Sequence, residues 1–307
     1  MNLDGEERVI QRLPGSFVLQ DISRQGKLLV THGAIRTGIL GLSPGESTER
    51  DLSWLDGSLL MDVSADGKHV LFSELGGRAF SCYVRKTDGS PAVRLSEGAC
   101  ALAISPDGRW ALSTGSSLAE LLLHPTGAGE VKALSLGGVR FQMFNFGGAV
   151  FFADGRRLLF SGIEEGRLWR SYVLDVNEGT PRPVTPEGVL AWQVSPDGRF
   201  VCGQPPVLYP VEGGEPLPIP GSLSSDFPIG WDESGRRLYV YQVSEVPARV
   251  FRLDPESGER ALVRELIPSD PAGVTEVGPI RMAPDGSWYF YSYHRVTSDL
   301  YLVEGLT

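Results

Sequence analysis

The chain has 307 residues, 41% of them hydrophobic and 21% charged, with a formal net charge of -10. That composition belongs to a folded chain with room for two small domains or one large repetitive one. The excess of carboxylates excludes a nucleic-acid partner, because binding phosphates takes a field of Lys and Arg, and it argues against an anionic membrane surface.

No apolar run approaches the ~18 residues of a membrane span. The opening "MNLDGEERVI" is acidic and has no apolar core of a signal peptide, so no leader and no membrane contact are expected of this chain, which leaves the compartment open. The three cysteines, Cys82, Cys100 and Cys202, form no C-x-x-C pair. They read as small buried hydrophobes, with no disulfide assigned among them.

In chain order, the first element is a lone strand, "ERVIQRL" (Glu7 to Leu13). A tight-turn motif then recurs: "SRQGK" at Ser23, "SADGK" at Ser64, "SPDGR" at Ser105, "FADGR" at Phe152, "SPDGR" at Ser195, "ESGRR" at Glu233 and "APDGS" at Ala283. Their glycines are Gly26, Gly67, Gly108, Gly155, Gly198, Gly235 and Gly286, separated by 41, 41, 47, 43, 37 and 51 residues. A period near 40 points to a propeller or solenoid. Ser, Pro, Asp and Gly suit the four positions of a type I turn, and Gly takes the left-handed conformation that pairs the second strand back on the first.

Each turn sits between short apolar segments, as in "ALAISPDGRWALS", and is followed by a second strand pair, such as "AELLLHP" with "EVKALSL" or "ARVFRLD" with "RALVREL". No capped amphipathic helix competes with this pattern; "SSLAELLLH" is the nearest. Four strands per repeat make a propeller blade. The expected fold is therefore all-β, one domain over 1–307: a seven-bladed propeller of four-stranded antiparallel blades, with six blades as the alternative. Because "SDLYLVEGL" ends the chain one strand short, the strand at 7–13 is expected to complete the last blade beside Leu300 to Val303.

The repeated turns resemble those of TolB-like propellers, also called WD40-like or PD40 repeats. Longer stretches carry a closer resemblance, to the C-terminal propeller of large bacterial serine/threonine protein kinases of the acidobacterial and myxobacterial type. They are "ERDLSWLDGSLLMDVSADGKHVLF", "VRKTDGSPAVRLSEG", "LYPVEGGEPLPIPG", "DPAGVTEVGPI" and "SDLYLVEGL". The resemblance implies a sensory or protein-binding module joined through a membrane-spanning segment to a kinase in cis, on the extracytoplasmic side, with a cytoplasmic site as the other option. It implies no ligand and no catalytic residue. The kinase signatures G-x-G-x-x-G, V-A-I-K, H-R-D and D-F-G are absent from this sequence. A TolB-like periplasmic scaffold with a protein partner and a propeller enzyme, hydrolase or lyase, with an axial site are the rival expectations.

Catalytic chemistry is hard to find. "GLSPG" (Gly41 to Gly45) matches G-x-S-x-G, but Pro44 follows the serine and no helix does, so it reads as an outer-blade turn. The four histidines are scattered without metal-ligand spacing, and His69 and His124 are expected on exposed positions. The repeated Asp66, Asp107, Asp154, Asp197 and Asp285 are explained by turn chemistry without a metal. Trp54, Trp192 and Trp231 are expected to pack blade on blade. No catalytic residue, metal or cofactor is assigned.

Topology places the binding site. All the D-G turns lie on one face, and the loops joining second to third strands lie on the other, at the channel mouth. Those loops are read as "THGAIRTG", "SELGGRA", "SGIEEGRLW", "QVSEVPA" and "SYHRVTS". They offer His32, Arg36, Glu74, Arg78, Glu164, Glu165, Arg167, Glu245, His294 and Arg295 as a mixed-charge ring for a protein, peptide or small polar ligand.

Overall fold

A computed structural model describes residues 16–76, 79–115, 117–143, 147–177 and 179–304, and all regular structure among them is β. The strands form six antiparallel sheets arranged as blades. Blade 1 runs Ser58–Val63, His69–Gly76, Ala79–Lys86 and Val93–Glu97. The inner strands of blades 2 to 5 are Ala101–Ile104, Ala149–Phe151, Ala191–Val194 and Asp226–Trp231, each followed outward by its sequential neighbours.

Blade 6 is built from both ends of the chain. Its order from the axis outward is Val274–Met282, Tyr289–Val303, Leu28–Leu42 and Ser16–Ile22. The count is thus six, the alternative rather than the first expectation. The extra motif explains the difference: the turn at Gly26 joins the two outermost strands of blade 6, whereas the other six turns join first to second strands. Turn chemistry is local and does not record which strands it connects.

The closure also differs from expectation. Beside Leu300 to Val303 lie Thr31 to Leu28, the start of a ladder that continues without a break to Leu42 opposite Tyr289. Two amino-terminal strands complete the blade, not one. The strand expected at 7–13 lies outside the described residues.

The D-G turns form as their chemistry requires. Ser105 Oγ donates to Asp107 Oδ1 at 2.6 Å and accepts from Trp110 N at 3.0 Å, while Arg109 N donates to Asp107 Oδ1 at 3.0 Å. Gly108 closes the turn at φ +68°. Ser64 with Asp66 and Ser195 with Asp197 repeat this network. The carboxyls of Asp107 and Asp197 are held below the ordinary range, first by the serine hydroxyl.

Among the described residues, six apolar clusters lie between neighbouring blades, one at each contact. Ile39, Leu60, Phe72 and Phe290 join blade 6 to blade 1, and this cluster closes the ring. Burying each such side chain is worth about 1.5–3 kcal/mol. Buried serines add a polar seam. Ser73 Oγ accepts from Ala101 N of the next blade at 3.0 Å, Ser171 Oγ from Ala191 N at 2.8 Å, and Ser292 Oγ from Leu60 N at 2.8 Å.

Other expectations resolve as follows. Ser43 is buried in a turn and donates to Thr87 O at 3.1 Å, as a structural residue does. Trp192 packs on Phe227 of the following blade with ring centroids 5.1 Å apart, and Trp231 packs into the contact between blades 4 and 5. Trp54 is instead exposed, beneath the Arg85 guanidinium. His124 is buried, with Nε2 2.9 Å from Ser113 Oγ, and His69 is half-buried; both depart from the expected exposure. Strand Glu120–Pro125 is covered on both faces where Leu123 and His124 follow one another, so His124 is buried although it lies on the face opposite Leu121 and Leu123.

Candidate functional site

The inner strands leave a cavity of about 240 Å³ on the axis. Five of the six blades line it: Asp62 and Val63 of blade 1, Ala149 and Val150 of blade 3, Trp192 and Gln193 of blade 4, Phe227 and Ile229 of blade 5, and Arg281 and Met282 of blade 6. It reaches the level of the D-G turns, where Ala65 and Pro284 line it. Both occupy the second turn position, which lies at the lip of the channel.

One charged pair stands in this wall. Arg281 Nε lies 3.2 Å from Asp62 Oδ1, Arg281 Nη1 donates to Ile280 O at 3.0 Å, and Nη2 to Met61 O at 2.6 Å. Asp62 Oδ2 accepts from Ile104 N of blade 2 at 2.9 Å. The pair therefore ties blades 6, 1 and 2 together at the axis. Burial pushes the Asp62 carboxyl above its ordinary range, against the opposing pull of the Arg281 charge. Trp192 contributes an indole Nε1 that is buried without a hydrogen-bond partner. Apart from Gln193, the rest of the wall is apolar, from Leu159, Phe227, Ile229, Met282 and Trp288 among others.

None of the described residues expected at the channel mouth lines this cavity. Glu164, Glu165, Arg167 and Glu245 do sit in loops between second and third strands. Three of them are engaged locally: Arg167 pairs with Glu187 at 2.9 Å, Glu164 with Arg170 at 2.6 Å, and Glu245 with Arg249 at 3.1 Å.

His32, Arg36, His294 and Arg295 are not in loops. Both segments read as loops belong to the blade 6 ladder, where Arg36 stands opposite Arg295 and Thr37 opposite His294. Blade 6 has no second-to-third loop, because those two strands come from opposite ends of the chain. Arg36 pairs with Asp51 at 3.1 Å and Arg295 with Asp270 at 3.2 Å. Phe17 stacks on His32, and Thr275 Oγ1 lies 3.0 Å from His294 Nδ1. Glu74 is buried at the end of its strand, bonded to Ser58 Oγ and to Gly57 N. Arg78 lies outside the described residues. The expected ring is therefore not one site.

Sequence reasoning missed Asp62, Arg281 and Gln193. The available signal was a polar residue interrupting an apolar inner strand, as in "LLMDV", "AWQV" and "PIRM". Among the described residues, no group of three His, Cys, Asp or Glu side chains gathers where it could hold a metal ion.

No protein-family model matches the sequence, and no curated protein matches it. Solved structures do match. A TolB-like protein from Agrobacterium tumefaciens superposes with a TM-score of 0.59 at 18% identity, over 86% of this chain and 99% of that one. TolB from Acinetobacter baumannii gives 0.52 at 15% identity, over 76% and 66%. Oligogalacturonate lyase from Vibrio parahaemolyticus gives 0.52 at 14% identity, over 83% and 77%. At these identities the likeness is one of fold, and the fold it shows is the TolB-like β-propeller.

Proposed function

We propose that this chain is a non-catalytic binding propeller that captures a small polar ligand in its axial cavity and presents the state of the ring to a protein partner. The observation that carries this reading is the composition of the cavity wall. It is largely apolar, with a few convergent polar groups, as ligand pockets are. Its only carboxyl among the described residues, that of Asp62, is already committed to Arg281 and Ile104 N. No histidine, serine, cysteine or lysine lines it among those residues, so an acid–base or nucleophilic constellation is not assembled there.

The resemblance to kinase-borne propellers supports a sensor role with the kinase in cis and an extracytoplasmic location. Glu164, Arg167 and Glu245, on the face away from the D-G turns, are the proposed contacts for the partner. A TolB-like scaffold would use the same rim without a ligand-dependent step.

The test is a thermal-shift screen of small polar metabolites against the protein and its Ala65→Trp variant. Ala65 is exposed in a turn yet lines the cavity lip, so the large ring blocks entry without entering the core. Ligands that raise the melting temperature of the parent and not of the variant support the reading. A screen in which every stabilising ligand acts equally on both proteins rejects it.

A further inference from the structure

We infer that the axial cavity takes a zwitterion, an α-amino acid with a short apolar side chain, an assignment that rests on the reading of the cavity as the ligand site. The first argument is charge. Asp62 and Arg281 present opposite charges 3.2 Å apart in one wall, with side chains only 16% and 20% exposed. A buried pair of this kind recovers its desolvation only when the remaining donors and acceptors are also met. The three bonds from Arg281 leave a second N–H on each terminal nitrogen. A lone carboxylate at this wall would face Asp62, and a lone ammonium would face Arg281. A molecule carrying both groups on one carbon satisfies both.

The second argument is the unpaired indole. Trp192 Nε1 is buried with no acceptor, a state that native interiors seldom leave unmet. Trp192 lines the cavity, and a turn of its ring would bring this N–H to a ligand carboxylate held by Arg281.

The third is size and lining. The volume of about 240 Å³ holds on the order of eight water-sized groups at ~30 Å³ each, which suits valine or leucine. Phe227 and Met282 offer the apolar surface for the side chain.

Isothermal titration with L-leucine, 4-methylpentanoate and 3-methylbutylamine separates the terms, since the last two are leucine without its ammonium and without its carboxylate. Leucine is expected to bind, and each analogue to bind at least tenfold more weakly. Ala65→Trp is expected to abolish leucine binding while melting like the parent. Trp192→Phe is expected to weaken leucine several-fold and leave 3-methylbutylamine unchanged. Asp62→Asn and Arg281→Gln alter a tie between blades, so the ligand series on the unaltered protein is decisive. Equal binding of leucine and 4-methylpentanoate overturns the assignment. So does a leucine signal that survives Ala65→Trp. If other molecules bind in a manner sensitive to Ala65→Trp and no amino acid does, the zwitterion assignment falls and the cavity remains the ligand site. If nothing does, both fall.

Discussion

Alanine at Gly41 is expected to damage the closure of the ring, whereas alanine at Gly33 in the same strand is not. Both glycines lie in Leu28–Leu42, opposite Phe290 and Ser298 of the carboxyl-terminal strand. A Cβ on Gly41 would meet Phe290 Cδ1 and would lie 2.5 Å from Tyr289 O and 2.7 Å from Phe290 Cγ. The carbonyl belongs to the ladder itself and cannot yield without opening the register. Phe290 is fully buried in the cluster between blades 6 and 1, so it cannot swing away either. Overpacking of this kind costs about 1–3 kcal/mol. At Gly33 the nearest atom, Thr297 O, is 3.9 Å away and the backbone is not left-handed. Alanine there removes freedom only from the unfolded chain and is worth up to about 1 kcal/mol of added stability. At ~2.1 cal/mol/K per residue, 1 kcal/mol moves the melting temperature of a protein of this size by about 1.5 °C. Thermal melts of the two variants should thus diverge, Gly41→Ala falling by several degrees and Gly33→Ala holding or rising slightly. Equal melting of the two would refute the seam as described.

Three further outcomes follow from the geometry. Ser292→Ala leaves Leu60 N buried without its acceptor and should cost about 1–3 kcal/mol in a urea melt, with amide exchange at Leu60 accelerating first; unchanged exchange would remove the serine seam from the account. Ser105→Ala should cost about 1 kcal/mol at pH 7. Because Asp107 is held below its ordinary pKa in the fold, its share of stability is present above the unfolded value and is lost as pH falls through that range. The gap between parent and variant should narrow in melts near pH 3, and a gap that widens there would contradict the turn network. The thiols of Cys82 and Cys202 are buried, and burial pushes Cys82 up to about 12, so native labelling at pH 8 should modify half-buried Cys100 first and the other two only on unfolding.

The blade was legible in the sequence because its chemistry is local. Ser, Asp and Gly at fixed offsets specify a turn, and runs such as "ALAI" specify a strand covered on both faces. The number of blades was not legible, because Gly26 carries the same local signal in a different topological place. Closure by two amino-terminal strands was hidden for a related reason. "THGAIRTG" and "SYHRVTS" are polar and glycine-bearing, as loops are, and become strands only because each finds the other across the whole chain. Four of the mouth residues, His32, Arg36, His294 and Arg295, were chosen on that mistaken assignment, which is why they fall in one ladder. Asp62 and Arg281 escaped notice because a single polar residue in an apolar strand reads as a break. Their meaning lies in the approach of blades 6, 1 and 2, which no local pattern encodes.

The most direct test of a binding propeller with an axial site is a crystal structure of the protein grown with a ligand from the thermal-shift screen. Ligand density on the axis, in contact with Asp62, Arg281 and Trp192, is the result the account predicts. Density confined to the rim around Glu164, Arg167 and Glu245, with the axis unchanged, would contradict it.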